Sequence, residues 1–315
     1  MVSISDFFRI PKKDSCRHLS TGMRYSDYVK WAGFQIPDYS DFSIKNAGSE
    51  SNLLLRAEVL DYTQTRIGTA RDLFLLFCHS ISESVCENVK SLHGTINVSF
   101  VSKCKNATEF LDVVKNASEK YADQVEFHPF LGIYTDVENN LPLATMLLES
   151  GIFEGIDLYG KSFAENPEKF LGVFNTARRL NLKSQISCLG FRSLGGRDDI
   201  YELLANLQPT HLLNPNITYK NSELDSSING KLVQSAITFT KDNNIHIDFS
   251  PAPILSGQNA KEKAFLIREF AENGIPFSFC TEDLLFLNKS ISEFAVDLCN
   301  LGVFSKEELI KIIEN

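Results

Sequence analysis

An alternation of two kinds of segment constrains this chain more than any other feature. Short runs rich in β-branched and aromatic residues recur as TINVSFVS (95–102), VEFHPFLGIYT (125–135), FEGIDLYG (153–160), LKSQISCLG (182–190), THLLNPN (210–216), NIHIDFSPA (244–252) and IPFSFCTED (275–283). Each reads as a buried strand. Helical patterns lie between them at 107–121, 166–180, 231–243 and 261–273, the last closed by Gly274. Strands and helices that alternate in units of about 30 residues pair in parallel through right-handed crossovers. Seven strands follow residue 94, and residues 11–18 supply an eighth. The expected fold is α/β, a (β/α)8 TIM barrel forming a single domain over residues 1–315. Segment 24–92 then holds extra helices between strands 1 and 2, with YSDYVKWAG and DLFLLFCHSISESVCENVKSL as the clearest pieces. A doubly wound open sheet is the competing arrangement.

Charge narrows the partners. A formal charge of −9 and a pI near 5.3 argue against nucleic acid and anionic membranes, which both select for accumulated Lys and Arg. The first residues contain no apolar core of signal-peptide length, and no run approaches the roughly 18 apolar residues of a membrane span. Seven cysteines at irregular spacing, without a CxxC pair, do not form a disulfide framework. A cytoplasmic protein with reduced thiols and a small-molecule ligand is expected.

A barrel places its chemistry at the carboxyl ends of its strands. Those ends read Cys16 and His18, Tyr159 and Gly160, Cys188 with Gly190 and Phe191, Asn214, Ser250, and Thr281 to Asp283. The order of motifs resembles the adenosine and AMP deaminase family of metal-dependent barrels from Pro11 to Asn315. Pro11-Lys12-Lys13-Asp14-Ser15-Cys16-Arg17-His18-Leu19 is similar to that family's opening PKxELHxHLxG, which puts its two metal histidines at Cys16 and His18. Gly155-Ile156-Asp157-Leu158-Tyr159-Gly160 resembles GIDLAG, the most specific match, whose last glycine approaches the purine. The HAGE turn falls on Cys188-Leu189-Gly190-Phe191, so Phe191 stands where the resemblance implies the ring-protonating acid. The histidine that orients water falls on Asn214. The final TDDP turn resembles Thr281-Glu282-Asp283-Leu284, with Glu282 at the metal aspartate and Asp283 at the carboxylate that contacts the purine.

The resemblance therefore implies a metal set of Cys16, His18, Cys188 and Glu282, with Gly160, Gly190, Phe191 and Asp283 lining the ligand pocket. Zinc accepts thiolate, imidazole and carboxylate together. Against this set, two thiolates suit a closed structural site, and Arg17 adds positive charge nearby. Cys16 and Cys188 also read as small buried fillers, or as a disulfide pair. Hydrolytic deamination needs a proton donor and a water-orienting base, and Phe191 and Asn214 supply neither. The expectation is a purine nucleoside-binding barrel with little or no conventional deaminase activity. The alternative is an active metal-dependent hydrolase using substituted ligands.

The remaining candidates are weaker. His79, His93 and His246 have no partner at ligand spacing. His128-Pro129 lies within a strand, from which His128 could project into the mouth that holds the site. The SLGGRDD run (193–199) places paired glycines before a helix, as in a phosphate loop or simply a flexible turn. Asp248 falls inside a strand near the barrel core.

Overall fold

The structure, a computed structural model, describes residues 2–33, 59–134, 141–159, 167–187, 200–215, 234, 237–255 and 260–314. Eight parallel strands follow one another in chain order: β1 (Lys12–His18), β2 (Val89–Asn97), β3 (Glu126–Tyr134), β4 (Gly155–Tyr159), β5 (Lys183–Ser187), β6 (His211–Leu213), β7 (His246–Phe249) and β8 (Phe277–Phe279). Every neighbour pair is parallel. Beyond β8 the chain returns to β1. His18 N donates to the Glu282 carbonyl at 2.9 Å and Glu282 N donates to the Cys16 carbonyl at 2.8 Å. The sheet is a (β/α)8 barrel, and the open-sheet alternative falls.

Helices Tyr25–Ala32 and Ala70–Cys86 lie between β1 and β2, as expected. The first ends at Gly33, whose φ of 74° suits a residue without a Cβ. The second begins with a capping box in which Thr69 and Asp72 satisfy each other's backbone donors. One strand boundary differs from the sequence reading. A strand is expected over residues 95–102, but β2 covers Val89–Asn97, and Val98–Lys103 form a 3₁₀ helix. The Asn97 side chain accepts from Ser99 N at 2.8 Å and turns the chain out of the sheet. Upstream, Asn88 at φ 57° breaks the helix that the apolar pattern through Leu92 suggests.

Alternation along the strands sorts residues to two faces. Leu92, Ile96, Leu131, Ile156, Leu158, Ile186, Leu212, Ile247 and Phe249 join the main hydrophobic core with the surrounding helices. The opposite face is largely polar. Buried Thr95, Asp157, Gln185 and Asp248 line it, and its apolar content includes a small separate cluster of Cys16, Leu213 and Cys280. A barrel interior built this way gains little from hydrophobic burial and keeps chemically active groups along its axis.

Candidate active site

The carboxyl end of β1 contributes the first two groups. Pairing of β1 with β2 slips between Asp14 and Arg17, an irregularity of the bulge type that re-aims side chains at strand ends. Arg17 accordingly points away from the ligand set: Nε donates to Asp14 Oδ2 and Thr281 Oγ1, both at 3.0 Å, and Nη1 donates to the Gly22 carbonyl at 3.2 Å. Asp14 completes the anchor by accepting from Thr281 N at 3.0 Å and Thr281 Oγ1 at 2.6 Å. This wholly buried group fixes the turn that carries Glu282 and Asp283. Arg17 is thus a structural cation, not a charge aimed at a metal.

Cys16, His18 and Asp157 converge. Their ligand atoms lie within 4.8 Å of one another. His18 Nε2 is 3.3 Å from Asp157 Oδ2, and Cys16 Sγ is 4.0 Å from the same oxygen. Thr95 Oγ1 donates to that oxygen at 2.8 Å, while Asp157 Oδ1 is buried without a hydrogen-bond partner. His18 Nδ1 lies 3.0 Å from Asp283 Oδ1, which also accepts from the Thr21 hydroxyl. Burial disfavours a charged His18, but Asp283, followed by hydrogen bonds to Asp157, Asp283 and Cys16, outweighs it and raises its pKa well above the ordinary value. Burial, then the Asp157 charge, pushes the Cys16 thiol up.

These groups fit a zinc ion. Zinc accepts thiolate, imidazole and carboxylate ligands, and three protein ligands leave its fourth position open, as in catalytic sites. An unpartnered buried carboxylate oxygen is costly alone and is satisfied by a cation. Asp283 on Nδ1 directs Nε2 of His18 toward the other two ligand atoms, the outer-shell arrangement common to metal-bound histidines. Asp157 is not singled out by the sequence reading. The available signal is an acid within the apolar Ile156-Asp157-Leu158 run of the most specific motif, and it is 0% exposed.

Glu282 faces a different group. Its Oε2 accepts from Ser250 Oγ at 2.6 Å and Asn214 Nδ2 at 3.2 Å, and Asn214 Oδ1 accepts from Ser250 N at 2.9 Å. Both Asn214 and Glu282 have positive φ, 48° and 55°. A non-glycine residue held there costs roughly 1–3 kcal/mol and clusters at functional strand ends. Cys188, Gly160, Gly190, Phe191 and the 193–199 run lie outside the described residues.

Tyr159 forms part of the wall. Its ring packs against His18 with centroids 4.7 Å apart, and its hydroxyl accepts from Asn97 Nδ2 at 2.7 Å. Gly132 makes room for it, since a Cβ there would approach the Tyr159 ring and hydroxyl to 3.1–3.2 Å and Thr95 to 2.7 Å. His128 does not enter this mouth. It sits near the start of β3, with Nδ1 2.7 Å from Glu154, because its strand position falls on the amino-terminal side of the barrel. His79 is exposed on a helix.

No model of a known protein family matches the chain. A Treponema pallidum (strain Nichols) protein, whose provisional name is adenosine/adenine deaminase, is 25% identical over 311 residues, 97% of each chain. The fold is shared with the apo N6-methyl-AMP deaminase of Arabidopsis thaliana, at 14% identity and a TM-score of 0.72 over 99% of this chain and 92% of that one. It is shared with an IMP complex of arabidopsis ADAL, at 15% identity and 0.70 over 98% and 91%. A zinc-bound amidohydrolase from Burkhoderia ambifaria matches at 12% identity and 0.70 over 98% and 86%. The resemblance to adenosine and AMP deaminases that the motifs carry is borne out. Among the described residues no helix is long and apolar enough to cross a membrane.

Proposed function

We propose that residues 1–315 form one cytoplasmic, deaminase-like barrel that binds a purine base or nucleoside at its carboxyl-terminal mouth, over a zinc held by Cys16, His18 and Asp157. Conventional hydrolytic deamination is slow or absent. The observation that carries this reading is the convergence of Cys16, His18 and Asp157 ligand atoms within 4.8 Å of one another, on a buried carboxylate whose second oxygen, Oδ1, has no partner, with Asp283 on the other nitrogen of the His18 ring. The IMP-bound neighbour supports a purine ligand, and the zinc-bound neighbour supports the metal.

When bound, such a zinc lowers the pKa of a coordinated water toward neutrality. The chain's own residues govern orientation and proton transfer around it. His18 keeps its proton on Nδ1 toward Asp283, Thr95 orients Asp157, and the Tyr159 ring limits the space above His18. Asn214 carries a carboxamide, which moves no proton near neutral pH, and Phe191 carries none. Loss of one general acid or base typically forfeits about 10²- to 10⁴-fold in rate. Release of ammonia from adenine, adenosine and AMP, and of methylamine from N6-methyl-AMP, is therefore expected to stay far below an ordinary turnover of about 10 s⁻¹.

A second reading, an active hydrolase with substituted ligands, draws on the open fourth position that three protein ligands would leave. Ammonia release at an ordinary enzymatic rate from zinc-loaded protein would establish that reading and remove the first. Binding is tested separately. Calorimetry with purine bases and nucleosides is expected to show saturable binding, weakened by Gly160→Val. No saturable binding to any of them would leave the pocket as scaffold.

Asp283 is expected to act on the metal as well as the ligand. Removing a carboxylate that orients a ligating histidine costs about 10- to 100-fold in metal affinity. Asp283→Ala should lose that much in competition against a chromophoric chelator. Unchanged affinity would mean that His18 is oriented by other groups.

A further inference from the structure

Tyr159 carries a hydroxyl hydrogen that the chain itself does not use. In the sheet register Asn97 of β2 lies beside Gly132 of β3, and Gly132 beside Asp157 of β4. Residues two apart share a strand face, so Thr95, Asn97, Gly132, Asp157 and Tyr159 all face the barrel axis. The hydrogen bonds from Thr95 to Asp157 and from Asn97 to Tyr159 agree with that sorting. Tyr159 therefore stands one inward position nearer the carboxyl-terminal mouth than Asp157, and its side chain is half-buried there.

The phenol crosses the one strand of the three that presents no side chain at this level. A Cβ on Gly132 would lie 3.1 Å from the Tyr159 ring, 3.2 Å from its hydroxyl and 2.7 Å from Thr95 Cγ2. Ring contacts hold it on either neighbour, with centroids 4.7 Å from His18 and 5.6 Å from Tyr134. Tyr159 thus spans β4 to β2 beside the Thr95–Asp157 pair and the His18 imidazole.

Hydrogen-bond roles fix which group the phenolic hydrogen can serve. Ser99 N only donates, so the Asn97 atom 2.8 Å from it is the carbonyl Oδ1. The other amide atom is then Nδ2, which also only donates, and it donates to the Tyr159 hydroxyl oxygen at 2.7 Å. A backbone N–H settles the amide orientation that side-chain partners alone leave open. Tyr159 accepts from Asn97, and among the described residues no acceptor takes its own hydrogen.

We propose that Tyr159 is a specificity-determining residue of the purine site, donating its phenolic hydrogen to an unprotonated ring nitrogen of the bound base. The proposal rests on the purine reading of that site and adds the group that recognises the ring. Ring nitrogens are acceptors common to amino- and oxo-purines. A ligand edge that presents C–H or N–H instead strands a half-buried donor, which a polar site rejects more strongly than an apolar one rejects a missing methyl. Tyr159 occupies the alanine position of the GIDLAG motif that residues 155–160 resemble, so this donor is an addition to the motif.

The test is calorimetry of the full chain with adenine and adenosine, each compared with its 1-, 3- and 7-deaza analogues, in which one ring nitrogen is replaced by C–H. One of the three analogues is expected to bind the wild type about five- to tenfold more weakly than its parent. Tyr159→Phe keeps the ring against His18 and removes the hydrogen. Asn97→Asp keeps an oxygen for Ser99 N but turns the atom facing Tyr159 from donor to acceptor, so the carboxylate takes the phenolic hydrogen. In both variants that analogue and its parent should bind within about twofold of each other. A variant that only disturbed packing would weaken both and preserve their ratio. Binding of the parents with no analogue weakened overturns the assignment of Tyr159 alone. A ratio that persists in Tyr159→Phe, or in Asn97→Asp should the first variant not fold, does the same. No saturable binding of adenine or adenosine overturns the purine reading and this donor with it.

Discussion

Lowering the pH from 6.5 to 4.5 is expected to cost the folded protein about 4 kcal/mol, most of the stability of a marginal domain. Three histidines set the sign. Burial is the first cause in each: His93 is pushed down to about 2, His211 to about 3 with His246 as the next contributor, and His246 to about 4 with Lys13 next. Below their unfolded pKa of about 6.5 these residues take protons when unfolded and refuse them when folded, so stability falls as pH drops. Asp248 opposes them. Its folded pKa, raised to about 7 by burial, means that it holds a proton the unfolded chain releases above about pH 4, so it favours the folded state as pH falls through this window. Lys13 and Lys183 face these groups from β1 and β5, Glu126 and Glu154 from beside His128, and Asp157 from β4. The net difference is two protons, or about 2.7 kcal/mol per pH unit. Urea denaturation at half-unit steps measures it, and His211→Gln should flatten the slope by about one proton. A stability that is level across the window, or a slope unchanged in that variant, contradicts the assignment.

Arg17→Met is expected to destabilise the barrel by about 3–5 kcal/mol. Arg17 and Asp14 are both 0% exposed and joined at 3.0 Å, so removing the cation leaves a carboxylate in the interior without its charge partner. Asp14 would keep only Thr281 N and Oγ1. The double variant Arg17→Met with Asp14→Leu should recover much of the loss, because a buried pair replaced by apolar groups of similar volume is often near neutral. Chemical denaturation of the single and double variants reads both numbers. A single-variant loss below about 1 kcal/mol would place Asp14 in contact with water or another cation. The same anchor fixes the Thr281-Glu282-Asp283 turn, so the single variant should also weaken zinc binding.

The βα alternation exposes the barrel in the sequence because parallel strands buried on both sides have a composition that short windows detect. It misplaces β2 because Leu92 continues the apolar phase of the preceding helix, while the break rests on one asparagine at positive φ, Asn88. At the site, Cys16 and His18 are legible because they sit at a strand end two residues apart within a recognisable motif. Asp157 is not. Its role depends on convergence across the barrel from β1 to β4, separated by 139 residues from His18, and the one local signal, an acid in an apolar run, does not name its partners. Asp283 reads as a ligand contact in the sequence, and the fold adds a second task, since its Oδ1 also holds the His18 ring and Thr21. The histidines at the opposite mouth have no local spacing to connect them, because each comes from a different strand and meets the others through closure alone.

Zinc content is the most direct test of the central claim. Elemental analysis of the chain purified without chelator is expected to find about one zinc per molecule, with the metal lost in Asp157→Asn and in His18→Ala while each variant keeps the wild-type circular dichroism. Wild-type protein that carries no metal and takes up none on dialysis against zinc, or an Asp157→Asn variant that retains it fully, would contradict the assignment of Cys16, His18 and Asp157 as a metal centre.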